Sequence, residues 1–244
     1  MKKHLALLIA FLGIGFAQMY LSAQQPATAQ QPAARMSAYA PAERTANLDV
    51  LKAQLRQYHE CTCTCGCYAK DLDRQADRAI AFLRIRAAYR QPQEKMAMVL
   101  DIDETTLSNY QQLLKGDFGY NKDAFTAWVL SAQAPVIPGT LRLYQEAQRL
   151  GMSVFFLTGR PEAQLAATEQ NLRSQGFDNW QQLIMRPPAQ ASATALAYKS
   201  AARATIQEQG YRIVLNVGDQ WSDLRGKPEA EYSVKYPDPF YFLP

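Results

Sequence analysis

Short apolar runs alternate with helical patterns through most of the chain, and this alternation constrains the fold more than any other feature. The mainly apolar runs lie at residues 96–100, 154–157 and 213–217, and a further short strand is predicted at 182–185. Short runs with little polar interruption are typical of strands that are buried on both faces. The helical patterns between them lie at 140–150, 162–175 and 192–209, and each is followed or closed by a glycine. The pattern predicts an α/β fold, a three-layer sandwich whose central parallel sheet has helices on both faces.

The N-terminus has the pattern of a secretory signal over residues 1–23. Lys2 and Lys3 precede an apolar run at 5–17, and cleavage fits after Ala17 or Ala23. An uncleaved membrane anchor is the alternative, but the run is shorter than the ~20 residues that a spanning helix needs. We expect a periplasmic or secreted protein whose mature chain has no stable membrane span.

Composition changes twice before the first predicted strand. Residues 24–46 are rich in Gln, Pro and Ala, which predicts a disordered linker. Residues 47–91 contain two helical patterns, and Pro92 ends the second. We therefore expect one domain at 47–244, with a helical N-terminal segment at 47–91 and a core at 95–244.

The chain has only two histidines, His4 and His59, and the first lies in the predicted leader. One remaining histidine excludes a metal centre built of several histidines and a phosphatase that needs two. Hydrolytic chemistry would then depend on carboxylates, lysine and water. The formal charge of +4 includes Lys2 and Lys3 of the leader, and so mild an excess does not favour nucleic acid as a partner.

Polar residues that follow the predicted strands carry the candidate chemistry. They are Asp101 and Asp103 after the first strand, Thr158 and Gly159 after the second, Lys199 on the last long helix, and Asp219 and Asp223 after the last strand. In parallel sheets, ligands bind at the carboxyl ends of the strands, so we expect these residues to meet at one edge.

Four acidic residues at one edge would repel each other, and a hard cation such as Mg²⁺ relieves that repulsion. We predict that Asp101, Asp219, Asp223 and the backbone carbonyl of Asp103 bind Mg²⁺. Asp101 would attack phosphorus to form an aspartyl-phosphate, and Asp103 would act as general acid and base. Phosphoryl oxygens would be bound by Thr158, Gly159 and Lys199.

Four sequence motifs resemble those of the haloacid dehalogenase (HAD) superfamily, in particular its acid phosphatase subfamily IIIB. The matching stretches are VLDIDETTLSN at 99–109, FFLTGR at 155–160, YKS at 198–200 and NVGDQWSDL at 216–224. The resemblance covers about residues 47–244 and implies a HAD-like Rossmannoid fold with a small cap. It also implies Mg²⁺-dependent hydrolysis of small phosphomonoesters, with Asp101 as the nucleophile and Asp103 as the acid/base.

Two classes of alternative function remain open at this point. One is a phosphotransferase that passes the phosphoryl group to an alcohol. The other is a binding or storage protein with vestigial activity, because storage relatives of this family can lack the nucleophile; the presence of Asp101 favours an active enzyme. No sequence feature predicts an oligomeric state.

Several further residues are candidates for the substrate pocket. Asn109 and Tyr110 could line it; Arg160 could reach substrate or pair with a structural carboxylate; Trp221 could form a wall or pack its own loop. The stretch 107–134 is too short for a large cap. Its aromatic residues could contact an aromatic leaving group or pack beneath a small lid.

All four cysteines lie in the sequence CTCTCGC, as Cys61, Cys63, Cys65 and Cys67. In an oxidising compartment they predict local disulfides, with three possible pairings. A soft-metal site for Zn²⁺ or Cu⁺ and free thiols are the alternatives. His59 could join such a metal site or be an exposed residue at a helix end.

Overall fold

A five-stranded parallel sheet organises the computed structural model, which describes residues 45–63 and 67–243. The strands are β1 (Lys95–Leu100), β2 (Ser153–Pro161), β3 (Gln182–Arg186), β4 (Tyr211–Gly218) and β5 (Tyr232–Lys235). Their order across the sheet is β3-β2-β1-β4-β5, and every neighbouring pair is parallel. The α/β class and the central parallel sheet are therefore as predicted.

Helices alternate with the strands. They are α1 (Leu48–Glu60), α2 (Tyr68–Ala88), α3 (Tyr110–Lys115), α4 (Lys122–Leu130), α5 (Pro138–Arg149), α6 (Leu165–Ser174), α7 (Ala195–Glu208) and α8 (Trp221–Leu224). Short 3₁₀ turns lie at Glu162–Gln164 and Pro188–Gln190. The predicted helix at 162–175 thus begins with a 3₁₀ turn, and the one predicted at 192–209 begins at Ala195, where Thr194 caps it.

Two hydrophobic cores lie on opposite faces of the sheet, because alternate side chains of a strand point to opposite sides. From β1, Met96, Met98 and Leu100 join the larger core, which contains residues of α2 and α5. Ala97 and Val99 join the smaller core, which contains residues of α7. This division explains why the run at 96–100 is apolar at every position.

The segment between β1 and α5 forms the predicted small cap. It contains α3 and α4, and α4 begins where the Asn121 side chain accepts a hydrogen bond from the backbone N–H of Ala124. β5 has no counterpart in the predicted elements. It is a four-residue strand with only one buried side chain, Val234, so it lacks the apolar run by which the other strands were predicted.

The helical N-terminal segment consists of α1 and α2, and Asn47–Pro244 form one compact unit. The signal peptide predicted at 1–23 and nearly all of the linker predicted at 24–46 lie outside the described residues. Within 45–63 and 67–243, no helix has the length and apolar character that crossing a membrane requires.

Candidate active site

Three buried carboxylates lie together at the carboxyl end of the sheet. Asp101 follows β1, Asp219 follows the neighbouring β4, and Asp223 lies on α8. One oxygen from each lies within 4.8 Å of the others, and no other group of described His, Cys, Asp or Glu side chains has this spacing. The sheet therefore brings together three of the acidic residues expected to meet there.

Crowding of these carboxylates changes their acidity. Burial, and then the negative charges of Asp101 and Asp223, raise the pKa of Asp219 well above its ordinary value. Burial also raises the pKa of Asp101, although the positive charge of Lys199 opposes the shift. A hard cation relieves such repulsion without protonating the carboxylates. The donor set consists of carboxylate oxygens, and it therefore fits a divalent cation such as Mg²⁺.

Lys199 enters the site from α7. Its Nζ lies 2.5 Å from Asp101 Oδ1 and also forms an ion pair with Asp223. Burial alone would lower the pKa of Lys199, but the two carboxylates raise it above its ordinary value, so the side chain stays charged. One turn further along α7, the buried Arg203 donates a hydrogen bond to the backbone carbonyl of Asp223. Arg203 was not among the predicted site residues, although its i, i+4 spacing from Lys199 could have indicated it.

Asp103 is held by a different cation. Arg160 Nη2 lies 2.7 Å from Asp103 Oδ1, and Arg160 Nε lies 3.1 Å and 3.2 Å from the two carboxylate oxygens. Burial raises the pKa of Asp103, but the charge and hydrogen bonds of Arg160 outweigh it and lower the pKa overall. The carboxylate partner of Arg160 is thus the predicted acid/base residue, and the Asp103 side chain stands apart from the three grouped carboxylates.

Asn109 links Asp103 to its neighbour Glu104 and to the cap. Its Nδ2 donates to Asp103 Oδ1 at 2.8 Å and to Glu104 Oε2 at 3.0 Å, while its Oδ1 accepts from Trp128 Nε1 at 2.8 Å. Burial is the largest cause that raises the pKa of Glu104 to about 8. With these hydrogen bonds and no exposed surface, Asn109 is placed to orient Asp103 rather than to contact substrate.

The two remaining phosphate-site candidates lie at the end of β2. Thr158 is buried, and its Oγ1 accepts a hydrogen bond of 3.1 Å from the backbone N–H of Arg160. Gly159 is exposed, and a Cβ placed on it would meet no atom within 4 Å. The backbone at Gly159 is therefore open to a ligand.

Tyr110 and Trp221 differ in their surroundings. Tyr110 is buried, its ring stacks on His59 with centroids 3.3 Å apart, and its hydroxyl donates to Glu60 Oε1 at 2.9 Å. Trp221 is 47% exposed beside the Arg225 guanidinium. The Tyr110 ring therefore packs against α1, while the Trp221 ring lies at the surface. His59 is half-buried against Tyr110 rather than exposed at a helix end.

The cysteines lie between α1 and α2. Cys63 is disulfide-bonded, whereas Cys61 and Cys67 are free, so the pairing of Cys61 with Cys67 is not formed. Cys65 lies outside the described residues. Among the described cysteines, none belongs to a group with metal-ligand spacing.

Gln220, which lies within the motif at 216–224, and two residues after β5 complete the site, and none of the three was among the predicted site residues. Gln220 Nε2 donates to Asp219 Oδ2 and to Asp238 Oδ2, at 2.7 Å each. The Tyr241 hydroxyl lies 3.3 Å from Glu104 Oε2. The segment after β5 therefore reaches the buried carboxyl groups, with Asp238 joined to Asp219 through Gln220 and with Tyr241 beside Glu104.

Comparisons with known proteins agree with this geometry. The model of the family "HAD superfamily, subfamily IIIB (Acid phosphatase)" matches residues 18–244. "Acid phosphatase 1" of Solanum lycopersicum is 37% identical over 179 residues, which cover 72% of this chain and 69% of that protein. "Stem 31 kDa glycoprotein" of Glycine max is 39% identical over 161 residues, 64% of this chain and 63% of that protein. The alignment thus spans slightly less than two thirds of the soybean relative.

A solved structure has the same fold. The class C acid phosphatase from Bacillus anthracis superposes with a TM-score of 0.65 at 21% identity, over 80% of this chain and 86% of that one. The family match extends over far more than half of the chain, and its motif residues converge at the sheet edge. The chain is therefore a member of the HAD superfamily, subfamily IIIB, the acid phosphatases.

Proposed function

We propose that this protein hydrolyses small phosphomonoesters with the help of Mg²⁺, through a phosphoryl group carried by Asp101. One observation carries the proposal: Asp101, Asp219 and Asp223 are buried within 4.8 Å of one another, with the Lys199 ammonium against Asp101. An acidic cluster with one lysine at the carboxyl end of a parallel sheet suits the transfer of a phosphoryl group.

Asp101 is held in place for attack on phosphorus. Its backbone N–H donates to Val217 O at 3.0 Å, and its carbonyl accepts from Thr106 Oγ1 at 2.6 Å. A new bond from a carboxylate oxygen to phosphorus would form as the bond from phosphorus to the ester oxygen breaks. Lys199 would offset the charge of the phosphoryl oxygens, and Thr158 with the backbone of Gly159 would bind them.

Asp103 would move the protons. In its protonated form it would give a proton to the departing alkoxide, and the carboxylate so formed would later take one from the water that attacks the aspartyl-phosphate. The hydrogen bonds from Arg160 and Asn109 hold its carboxylate in one orientation. Such fixed geometry lowers the barrier because less reorganisation is needed during the reaction.

Asp101, Asp219 and Asp223 would hold Mg²⁺ through their side chains, and Asp103 through its backbone carbonyl. Bound Mg²⁺ would supply positive charge that balances both the carboxylates and the phosphoryl group. Asp219 is prepared for this role because Gln220 fixes its Oδ2 and Thr105 Oγ1 lies 3.2 Å from its Oδ1.

Replacement of the nucleophile tests the function. We expect Asp101→Asn to lower kcat for an aryl phosphate by at least roughly 10³-fold, because a residue of the catalytic unit is lost. Asp123→Asn is the matched control, since Asp123 is exposed on α4. In the presence of glycerol, hydrolysis releases free phosphate and transfer gives phosphorylated glycerol. Measurement of both products distinguishes the two reactions. A folded Asp101→Asn protein with normal activity would rule out the mechanism.

We infer export from the signal pattern of residues 1–23. A basic region, an apolar run and small residues follow one another in that order, and this pattern supports a periplasmic or secreted location. Fractionation of a bacterial host that expresses the full chain, with N-terminal sequencing of the product, tests it. A mature protein that begins after Ala17 or Ala23 outside the cytoplasm is expected, and an uncleaved protein in the cytoplasm would contradict export.

A further inference from the structure

Arg203 is a fully buried arginine on α7. Across the described residues, it forms hydrogen bonds to backbone carbonyls and to Ser200 Oγ, and it makes no ion pair with a carboxylate. Buried arginines usually pair with an acidic partner, because an unpaired charge costs free energy in the interior. The role of this guanidinium is therefore to be found in the backbone carbonyls to which it donates hydrogen bonds.

The guanidinium donates hydrogen bonds to backbone carbonyls of α8 and of the segment that follows it. Nη1 donates to Asp223 O at 2.6 Å, Nη2 to Arg225 O at 2.5 Å, and Nε to Pro228 O at 2.9 Å. Nη2 also lies 3.3 Å from Gly226 O. The guanidinium thus contacts four carbonyls within six residues of the chain. Only arginine has the planar, forked set of N–H donors that can make such contacts together.

One of these carbonyls belongs to Asp223 of the proposed metal site. The same oxygen accepts a second buried hydrogen bond, from Asn216 Nδ2 at 2.8 Å. β4 and α7 thus hold the backbone of Asp223 from two directions. Its side chain is held by Lys199 at Oδ1 and by the backbone N–H of Gln220, 2.8 Å from Oδ2.

We propose that Arg203 is a positioning residue for the divalent cation: by fixing the backbone of Asp223, it sets the direction in which that carboxylate faces Asp101 and Asp219. The inference rests on the proposed function only in taking this triad as the metal site. Partners that orient a metal ligand typically change affinity or activity by about 10–100-fold when they are removed. Loss of these forked donors should therefore weaken Mg²⁺ binding more than it lowers the kcat of the enzyme at saturating Mg²⁺.

Calorimetric titration of the purified full chain with Mg²⁺ tests this role without an activity assay. We expect Arg203→Lys, which keeps the charge but loses the fork, to weaken Mg²⁺ binding by at least about tenfold. At saturating Mg²⁺, kcat should recover to within about threefold of the wild-type value. Arg212→Met is the control, because its side chain is 62% exposed and contacts Glu231 and Glu94; it should bind Mg²⁺ as the wild type does.

Asn216→Ala provides the independent test, since it removes the other hydrogen bond to Asp223 O and should weaken Mg²⁺ binding in the same direction. A folded Arg203→Lys protein with unchanged Mg²⁺ affinity would overturn the proposal, even if its stability fell. If Arg203→Lys does not fold, unchanged affinity in Asn216→Ala would overturn it. A wild-type protein that binds Mg²⁺ but hydrolyses no phosphomonoester would refute the proposed function alone, because the calorimetric comparison would still decide the role of Arg203.

Discussion

Asn109 shows how a single side chain connects the proposed acid/base residue to the cap. Its amide nitrogen holds Asp103, and its amide oxygen accepts from Trp128 Nε1 on α4. The ring of Trp128 is nearly buried, so the indole N–H has no ready access to water. The orientation of the Asn109 amide is therefore determined by the tryptophan of the cap.

Replacement of Trp128 by Phe keeps an aromatic ring but leaves Asn109 Oδ1 unpaired. We expect the free energy of unfolding to fall by about 1–3 kcal/mol, the typical cost of an unsatisfied buried polar group. We also expect a lower kcat with little change in KM, because Asp103 loses its fixed orientation. Denaturation in urea and steady-state kinetics measure both effects. Unchanged kcat in the variant would show that Asn109 does not depend on the cap.

Site residues that directly follow a strand could be predicted from the sequence. Asp101 and Asp219 were found because parallel strands end at one edge, and Lys199 because it belongs to a motif. Gln220 lies in the motif at 216–224, but the sequence does not show that its side chain contacts Asp219 and Asp238. Asp238 and Tyr241 were not predicted, since their contacts depend on how the chain returns to the site after β5. Such a return leaves no local pattern in the sequence.

At the scale of elements, α2 and α5 approach each other closely. A Cβ added to Gly139 on α5 would lie 2.9 Å from the Cβ of Ala76 on α2. Two small residues therefore allow the two helices to come together. The contact is reinforced at the other end of α5, where Arg84 of α2 lies 2.7 Å from Glu146.

Gly139→Ala should separate these helices. We expect the free energy of unfolding to fall by about 1–3 kcal/mol, because an added methyl group in a packed contact forces a shift. Gln145→Ala, at an exposed position of the same helix, should change it by less than about 0.5 kcal/mol. Thermal denaturation compares the two variants, and equal stabilities would contradict the close contact.

The acidity of Glu146 gives a pH-dependent prediction for the same pair of helices. Hydrogen bonds from Arg149 and Arg84 lower the pKa of Glu146 from 4.5 to about 2. A folded-state pKa below the unfolded value gives stability that is complete above about pH 4.5 and is lost as the pH falls through about 2. Glu146→Gln should thus cost about 0.5–1 kcal/mol at pH 7, a small value because both arginines are mostly exposed.

Urea denaturation of wild type and Glu146→Gln at pH 7 and at pH 3 checks this prediction. The difference in free energy of unfolding between the two proteins should be smaller at pH 3 than at pH 7, because protonation of Glu146 in the unfolded chain has begun to favour unfolding of the wild type at pH 3. A difference that stays constant or grows at low pH would contradict the ion pairs.

The central strands were predicted from their apolar patterns and the edge strand β3 was also predicted, whereas β5 was not. β1, β2 and β4 lie in the middle of the sheet and are buried on both faces, so their apolar runs identified them. β5 lies at the edge, with two of its four side chains exposed, and its pairing with β4 supplies the stability that its own sequence lacks.

At the scale of the whole molecule, negative charge is concentrated at the site, although the chain carries a formal net charge of +4. Six carboxyl groups surround the site, namely Asp101, Asp103, Glu104, Asp219, Asp223 and Asp238. The cations paired with them by side chain are Lys199 and Arg160. This excess opposes folding, so a divalent cation should stabilise the folded protein.

Mg²⁺ should therefore raise Tm relative to EDTA. A concentration of about 100 times Kd adds about 2.7 kcal/mol of stability, or roughly 5–10 °C for a chain of this size. Asp219→Asn should behave in the opposite way: it removes a buried charge, so its Tm in EDTA should exceed that of the wild type, and Mg²⁺ should raise it little. Scanning calorimetry with and without EDTA measures both, and an identical wild-type Tm in the two solutions would contradict the metal site.

Transfer of the phosphoryl group to Asp101 is the central claim, and trapping that group tests it most directly. The enzyme would be mixed with an aryl phosphate and Mg²⁺, quenched in acid within one turnover, and treated with borohydride, which reduces an aspartyl-phosphate to homoserine. Mass spectrometry of the digested chain then locates the change. The predicted result is homoserine at position 101 that is absent without substrate. An active enzyme in which position 101 stays aspartate while another aspartate is reduced to homoserine would contradict the claim.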